Sequence, residues 1–238
     1  MKNLHPLVQL GMILGGSFLV AVLISMGTIS RLRSDVVSVT GSAKMEVTSD
    51  QGKWTTQVTR TVYESDLKSG YAQIAQDATK ARAFFTAQGI IDTELSATPV
   101  SMFEVYSQDS GAPKRYTLSQ TFTVQSTDVA KLTKASNNLS GIINQGVIFS
   151  SLSLEYYYSK LPEARIQLLS SAIDDAKARA TELAKNSGSK VGSLKSATSG
   201  VVQVQSRNST DVSDYGSYDT SQIEKQITVT VKATFSLR

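Results

Sequence analysis

The sequence predicts an α+β fold: an N-terminal transmembrane helix, then a domain of β-α-β-β-α-β order, a long alanine-rich helix and C-terminal strands. Three observations predict it. Residues 7–29, LVQLGMILGGSFLVAVLISMGTI, form an almost unbroken apolar run. Residues 53–159 switch between strand-period and helix-period segments. Alanines then recur at helical spacing over 162–187, and residues 227–237 alternate apolar with polar side chains.

A helix rises about 1.5 Å per residue, so roughly 20 apolar residues cross the ~30 Å hydrocarbon core of a bilayer. The first run is long enough, and Gln9 near its edge is its only strongly polar side chain besides small hydroxyls. A cleavable leader has a shorter apolar core, roughly 7–15 residues, followed by a small-residue cleavage site. Ser25-Met26-Gly27 is a poor site of that kind, so an uncleaved signal-anchor is favoured over a cleaved leader. The expected organisation is a cytoplasmic stub at 1–6, the anchor at 7–29, a linker at 30–35 and one domain at 36–238. Lys2 and the α-amine on one flank nearly balance Arg31 and Arg33 on the other. The short basic leader, typical of exported chains, favours a single-pass protein of the cytoplasmic (inner) membrane with its domain on the periplasmic, extracytoplasmic side. Gly11 and Gly15 make a GxxxG, and Ser17, Ala21 and Ser25 repeat small residues every four positions. Both rows suit close helix approach, although glycine is common in membrane helices that pack on nothing.

In the domain, 36–48 (VVSVTGSAKMEVT) is a strand with a bend or bulge at Gly41. Ser49-Asp50-Gln51-Gly52 turns into a strand at 53–63, with Trp54, Val58 and Val62 on one face. A helix is predicted from Ser65, its N-cap, to Gln88, with Gly89 just past its end. Leu67, Tyr71, Ile74, Ala78, Ala81 and Phe85 make its apolar stripe. Strands at 96–107 and 114–125 flank a turn-rich link, and Tyr116, Leu118, Phe122 and Val124 share one buried face. A helix at 128–141 starts behind Thr127 and carries Val129, Leu132, Leu139 and Ile142. A strand at 147–159 places Leu152, Leu154, Tyr156 and Tyr158 on one side. This order is the split-βαβ arrangement of ferredoxin-like modules. The longest helix runs from Pro162 to Ser187, with Ile166, Leu169, Ile173, Ala176, Ala180 and Leu183 in a stripe and Ala164, Ala172, Ala178 and Ala184 around it. So many alanines permit close packing against a sheet or another helix. A strand at 194–206, a polar and mobile loop at 207–221, and the alternating final strand complete the chain. Pairing of the final strand with the first would close the domain.

Of 238 residues, about 200 lie outside the anchor, enough for one large domain or two small interlocked modules. The net charge of +4 comes from interspersed acidic and basic residues, with no basic block to track a phosphate backbone. Nor does any basic-aromatic RNA-binding run occur, so no nucleic-acid partner is expected. There is no cysteine, which excludes disulfides, thiol catalysis and cysteine-ligated metals. The only histidine, His5, precedes the anchor, so the domain has no imidazole for a Ser–His relay. An enzyme would have to work with carboxylates, Lys, Tyr, Ser or Thr alone.

Asp174-Asp175 with Glu182 could gather a cation, but only Asp175 and Glu182 share a helix face, and Lys177, Arg179 and Lys185 lie among them. A solvated charged face is the better reading. Tyr156-Tyr157-Tyr158 could form an aromatic ledge, yet Tyr157 points away from its neighbours, which favours core and subunit contacts. Trp54 fits a core face better than a partner hot spot. Asn138-Leu139-Ser140 and Asn208-Ser209-Thr210 match the glycosylation pattern but carry little weight, the former falling within the predicted helix at 128–141.

The string Ala172-Ile173-x-Asp175-Ala176-x-Ala178-Arg179-Ala180-x-x-Leu183-Ala184, ending in Gly188-x-x-Val191-Gly192, resembles the signature helix of SIMPL-domain (DUF541) proteins. Val37-x-Val39-x-Gly41 is similar to that family's opening strand, and Gln88-Gly89-Ile90 with Asp92 and Leu95 to its helix-end segment. Tyr116 and the final strand match as well. Ala43 stands where the family often has glycine, and Ser49-Asp50 where it often has Pro-Asp. The resemblance implies an α/β SIMPL fold, an envelope location and a tendency to form oligomers, with stress tolerance linked to bacterial relatives. It implies no catalytic residue, cofactor or metal ligand.

The expectation is therefore a non-enzymatic, membrane-anchored envelope scaffold. It would hold the bilayer through residues 7–29 and associate with its own copies, in a ring or cage, through open strand edges and contacts such as Ala172, Ala176, Ala180 and Tyr157. No protein partner is identified. The alternative is a ligand-binding or sensing module with its site near the 207–221 loop.

Overall fold

The computed structural model describes residues 35–109, 111–209 and 213–238. The anchor at 7–29, with Gly11, Gly15, Ser17, Ala21 and Ser25, lies outside the described residues. Among those described, no helix is long and apolar enough to cross a membrane. The described chain is α+β and divides into two units. One gathers the described residues up to Ala43 with Leu169–Gly200 and Thr230–Arg238; the other gathers Lys44–Leu168 and Val201–Val229.

The second unit holds β2 (Gln51–Tyr63), α1 (Leu67–Ala87), β3 (Leu95–Ala97), β4 (Ser101–Val105), β5 (Arg115–Ser126), α2 (Val129–Asn137), α3 (Ser140–Ile143) and β6 (Phe149–Tyr157). Its sheet has the order β3-β5-β2-β6, with β4 also on β5, and every pairing is antiparallel. This is the predicted split-βαβ arrangement. Trp54 is fully buried beneath α1, its indole edge-on to Phe85 at 5.6 Å, and its N–H donates to Ser151 Oγ at 2.9 Å. Ile74, Ala81, Phe85, Leu118, Phe122 and Val124 complete the core around it.

Several local expectations are corrected. Ser65 is not the N-cap; it sits in a 3-10 turn, Glu64–Asp66, and the α-helix starts at Leu67. Tyr71 is 43% exposed, because Gly70 takes the inward position, where a Cβ would lie 2.9 Å from Val62. Buried Asp77 also faces inward and receives a two-pronged bond from Arg60 of β2, Nη2 to Oδ1 at 3.0 Å and Nε to Oδ2. The strand predicted at 96–107 breaks into β3 and β4 at Thr98-Pro99-Val100, where three residues span what Gln120 and Thr121 cover on β5. Pro99 has no N–H to continue the ladder. The helix at 128–141 is two helices, and its cap is Asp128, not Thr127: the Asp128 carboxylate accepts the Lys131 N–H at 2.8 Å.

Leu152 is 55% exposed rather than on the core side. Thr55 faces Ser153 while Thr56 faces Ser151, so Leu152 is an unpaired bulge residue. The bulge shifts the period by one, and Phe149 turns inward with Leu154 and Tyr156.

In the first unit, residues of β1 (Val36–Thr48), α4 (Leu161–Asn186), β7 (Val191–Ser206) and β9 (Glu224–Leu237) come together. All four elements also contribute residues to the other unit. The sheet order is β1-β9-β7-β8, with β8 at Ser217–Tyr218, so the final strand does lie beside the first. The apolar positions of α4 differ from prediction. Its buried stripe is Ala164, Leu168, Ala172, Ala176, Ala180 and Ala184, while Ile166 and Leu183 are 72% and 55% exposed and Ala178 is exposed. Ala172, Ala176 and Ala180 pack on Val231, Ala233 and Phe235 within this unit. They are wholly buried in their own chain's core. The small side chains bring the helix so close that a Cβ on Gly41 would lie 2.7 Å from Ala176 Cβ, and nearer still to the Ala172 carbonyl.

Both long helices end alike. Gly89 (φ +79°) donates to Thr86 O at 2.9 Å while Ile90 donates to Phe85 O at 3.0 Å. Gly188 (φ +74°) and Ser189 repeat the pattern on Lys185 and Ala184. These are Schellman closures, and the left-handed residue favours glycine at both positions.

Candidate functional site

Since Trp54 faces the core, Lys53 and Gln51 point to the opposite face of the second unit's sheet. Register places Gln125 of β5 and Glu155 of β6 on either side of Lys53, and Tyr157 beside Gln51. Gln51, Lys53, Gln125, Ser126, Thr127 and Tyr157 outline an open cleft of about 400 Å³. Lys53 Nζ lies 3.3 Å from Glu155 Oε2, with both side chains partly exposed. Burial, followed by the charge of Glu155, pushes the Tyr157 phenol above its ordinary value, so it stays protonated at neutral pH.

Tyr157 packs against Tyr218 with ring centroids 5.9 Å apart and ring planes tilted by 34°. Tyr218 begins a short segment that wraps a buried amine. Lys225 is 1% exposed; its Nζ donates to the Asp219 and Gln222 carbonyls and lies 5.6 Å from the Tyr218 ring centre. Desolvation lowers the Lys225 pKa, partly offset by the Asp219 charge. The Asp219 carboxylate accepts from the Ser221 hydroxyl at 2.7 Å and the Ser221 N–H at 2.8 Å, and is held below the usual carboxylate range. The Tyr158 N–H donates to the Tyr218 hydroxyl and the Tyr156 N–H to Thr220 O, each at 2.8 Å. The segment thereby covers the outer edge of β6 at its C-terminal end. The predicted 207–221 loop thus contains strand β8, parallel to β7 at Gln203 and Val204, and supplies the ring behind Tyr157.

The carboxylates weighed as a cation site, Asp174, Asp175 and Glu182, form no metal-ligating cluster. Asp175 accepts from the Ser42 N–H at 2.8 Å and from Arg179 Nε at 2.9 Å, which fixes α4 to β1. Among the described residues no set of three metal-ligating side chains comes together.

The family model described as SIMPL, a protein of unknown function (DUF541), matches residues 37–235. The chain belongs to the SIMPL family. No curated protein matches it. In this SIMPL chain the signature residues have structural work: Gly41, Ala172, Ala176 and Ala180 set the strand-to-helix distance, Asp175 and Arg179 fix the contact, and Gly188 closes the helix.

Among the described residues one long surface is left uncovered. Within the first unit, residues 193–200 of β7 are all exposed, including Leu194 at 43%. Strand β8 reaches only Gln203 and Val204, so among the described residues this stretch has β9 as its one neighbouring strand in the sheet order.

The sequence reading did not single out Lys225, Tyr218 or the Lys53–Glu155 pair. A signal existed for the first. Lys225 shares the strand parity of Ile227 and Val229, so it interrupts the apolar side of the cleanest alternation in the chain.

Proposed function

We propose that this SIMPL protein is a non-enzymatic scaffold of the cell envelope, held in the inner membrane by residues 7–29 with its domain outside, and built to associate with its own copies. The single observation that carries the reading is the exposed stretch 193–200 of β7. Open strand edges are templates for pairing, and proteins that stay monomeric blunt them with charges, prolines or bulges. Here only Lys195 is charged and none of the eight is proline. Pairing of this edge with a different edge of the next copy is head-to-tail, the geometry that closes rings. The absence of cysteine, and of any histidine after His5, supports a role without thiol or imidazole chemistry. A part in stress tolerance belongs to this reading.

Native mass spectrometry of the full chain extracted in detergent is expected to show oligomers that Leu194→Lys with Thr198→Lys dissolves. A strict monomer at micromolar concentration would overturn the reading. Protease added outside spheroplasts should digest the domain, and the mature chain should not begin downstream of Met26.

A second reading, a ligand-binding or sensing module, is favoured by one observation: Tyr218 of the 207–221 loop backs Tyr157 in the cleft. A thermal-shift screen with envelope metabolites tests it, because a ligand of the native state raises the melting temperature.

A further inference from the structure

We propose that the cleft on the open face of β5, β2 and β6 binds a neutral saccharide; this deepens the ligand-binding reading and rests on it.

The lining carries one cation, Lys53, and Glu155 sits 3.3 Å from its ammonium. An anion drawn to Lys53 would meet the Glu155 carboxylate, and a cation drawn to Glu155 would meet Lys53. Either ligand would have to break the pair and leave one charge without its partner. An apolar ligand fares no better. Apart from the Tyr157 ring, the side chains that outline the cleft are two amides, two hydroxyls and the Lys53 ammonium, which Glu155 neutralises from beside it.

What remains is a neutral compound with many hydroxyls. The Gln51 and Gln125 amides and the Thr127 hydroxyl line the cleft. Each amide offers donors and an acceptor on one planar group, which suits two neighbouring sugar hydroxyls. The Lys53–Glu155 pair adds a donor and an acceptor side by side, and charged groups make the stronger hydrogen bonds. Tyr157 supplies an apolar face for the C–H side of a sugar ring, and its packing against Tyr218 holds that face in place.

The layout is regular. Same-face side chains stand about 4.8 Å apart across strands and about 6.6 Å apart along them. Gln125, Lys53 and Glu155 form one row on this lattice, and Gln51 and Tyr157 the next. The cleft volume of about 400 Å³ falls among small-ligand sites. Because it is open, affinity near the millimolar range is expected, about 4 kcal/mol by conversion of that constant.

The test is saturation-transfer NMR and calorimetry on the full chain in detergent, using N,N′-diacetylchitobiose and maltose as saccharides. Glycine betaine and inorganic phosphate serve as zwitterionic and anionic probes. The proposal expects saccharide binding that Glu155→Gln and Tyr157→Leu each weaken about tenfold, with unchanged melting temperatures showing that both variants fold. Binding of betaine or phosphate but neither sugar overturns the ligand class and leaves a ligand-binding module standing. Sugar binding that both variants leave intact overturns the site. Silence from all four probes, with no thermal shift across the metabolite screen, overturns the proposal and the ligand-binding reading together.

Discussion

Lys225 occupies a position on β9 that the neighbouring Ile227 and Val229 mark as apolar, and its burial needs a physical cause. The cause is the segment 218–222, whose carbonyls at Asp219 and Gln222 accept from the amine while the Tyr218 ring lies beside it. Removing the amine leaves two carbonyls short of a donor, and a buried unsatisfied group costs about 1–3 kcal/mol. Lys225→Met is therefore expected to lower stability by about that amount in urea unfolding. The loss has a pH signature. The folded value lies below the ordinary 10.5, so between the two the unfolded chain holds more protons and stability rises with pH. The wild-type advantage over Lys225→Met should widen as the pH climbs toward 10.5.

Carboxylates act in the opposite range. The Ser42 N–H, joined by Arg179, holds Asp175 low. For Asp50, burial pushes upward, but the Ser159 hydroxyl and N–H outweigh it. For Glu94, burial is likewise overcome, by the Ser126 hydroxyl and Lys131. Folded values below the ordinary 3.8 for Asp and 4.5 for Glu mean stability that is present above those values. It is lost as the pH falls through the folded values. Melting temperature should drop steeply between about pH 5 and pH 2, and less steeply in Asp50→Asn, which no longer titrates at that position.

At the scale of elements, the contact between β1 and α4 is backbone against backbone at Gly41, where a methyl group would meet the Ala176 Cβ and the Ala172 carbonyl. Neither neighbour is a flexible side-chain tip, so the helix itself must move. Gly41→Ala is expected to cost about 3 kcal/mol, the upper end for overpacking. Gly111→Ala, where a Cβ meets only Asp109 Oδ1 at 3.5 Å, should change stability by less than about 0.5 kcal/mol. Urea midpoints of the two variants provide the comparison.

The same contact shows what the sequence made legible. Gly41, the alanine repeat and the closing glycines announced the elements because each restricts its own backbone or packing. The exposed Leu152 was hidden, because a bulge is decided by which residues β2 offers to β6, and no residue of β6 records that choice. The break between β3 and β4 is missed by a strand read straight through 96–107, although the N–H that Pro99 lacks is a local signal. The cleft follows the same rule. Tyr157 was visible in the tyrosine triplet, but its row with Gln51, and that of Lys53 with Glu155 and Gln125, exists only once three strands are in register.

For the whole molecule, the two units differ in how the chain builds them. Every strand of the five-stranded sheet lies within 51–157, and the buried residues of its core, from Trp54 to Val147, are contained in the same stretch. No residue beyond 157 is needed to fill that core. The first unit, by contrast, draws on three separate segments, and its helix depends on Gly41 and on Val231, Ala233 and Phe235. A fragment spanning 48–160 should therefore fold alone, whereas 161–238, which lacks β1, should not. The single tryptophan makes the measurement direct. Trp54 is fully buried with Phe85 and Phe149 around it, so the first fragment should emit at short wavelength and shift to the red in one cooperative urea transition. Its midpoint should fall below that of the full chain, because the Tyr156 and Tyr158 N–H groups lose Thr220 and Tyr218. A solvent-exposed tryptophan spectrum without denaturant would show instead that the sheet needs the rest of the chain, and that the cleft belongs to a unit with no independent stability.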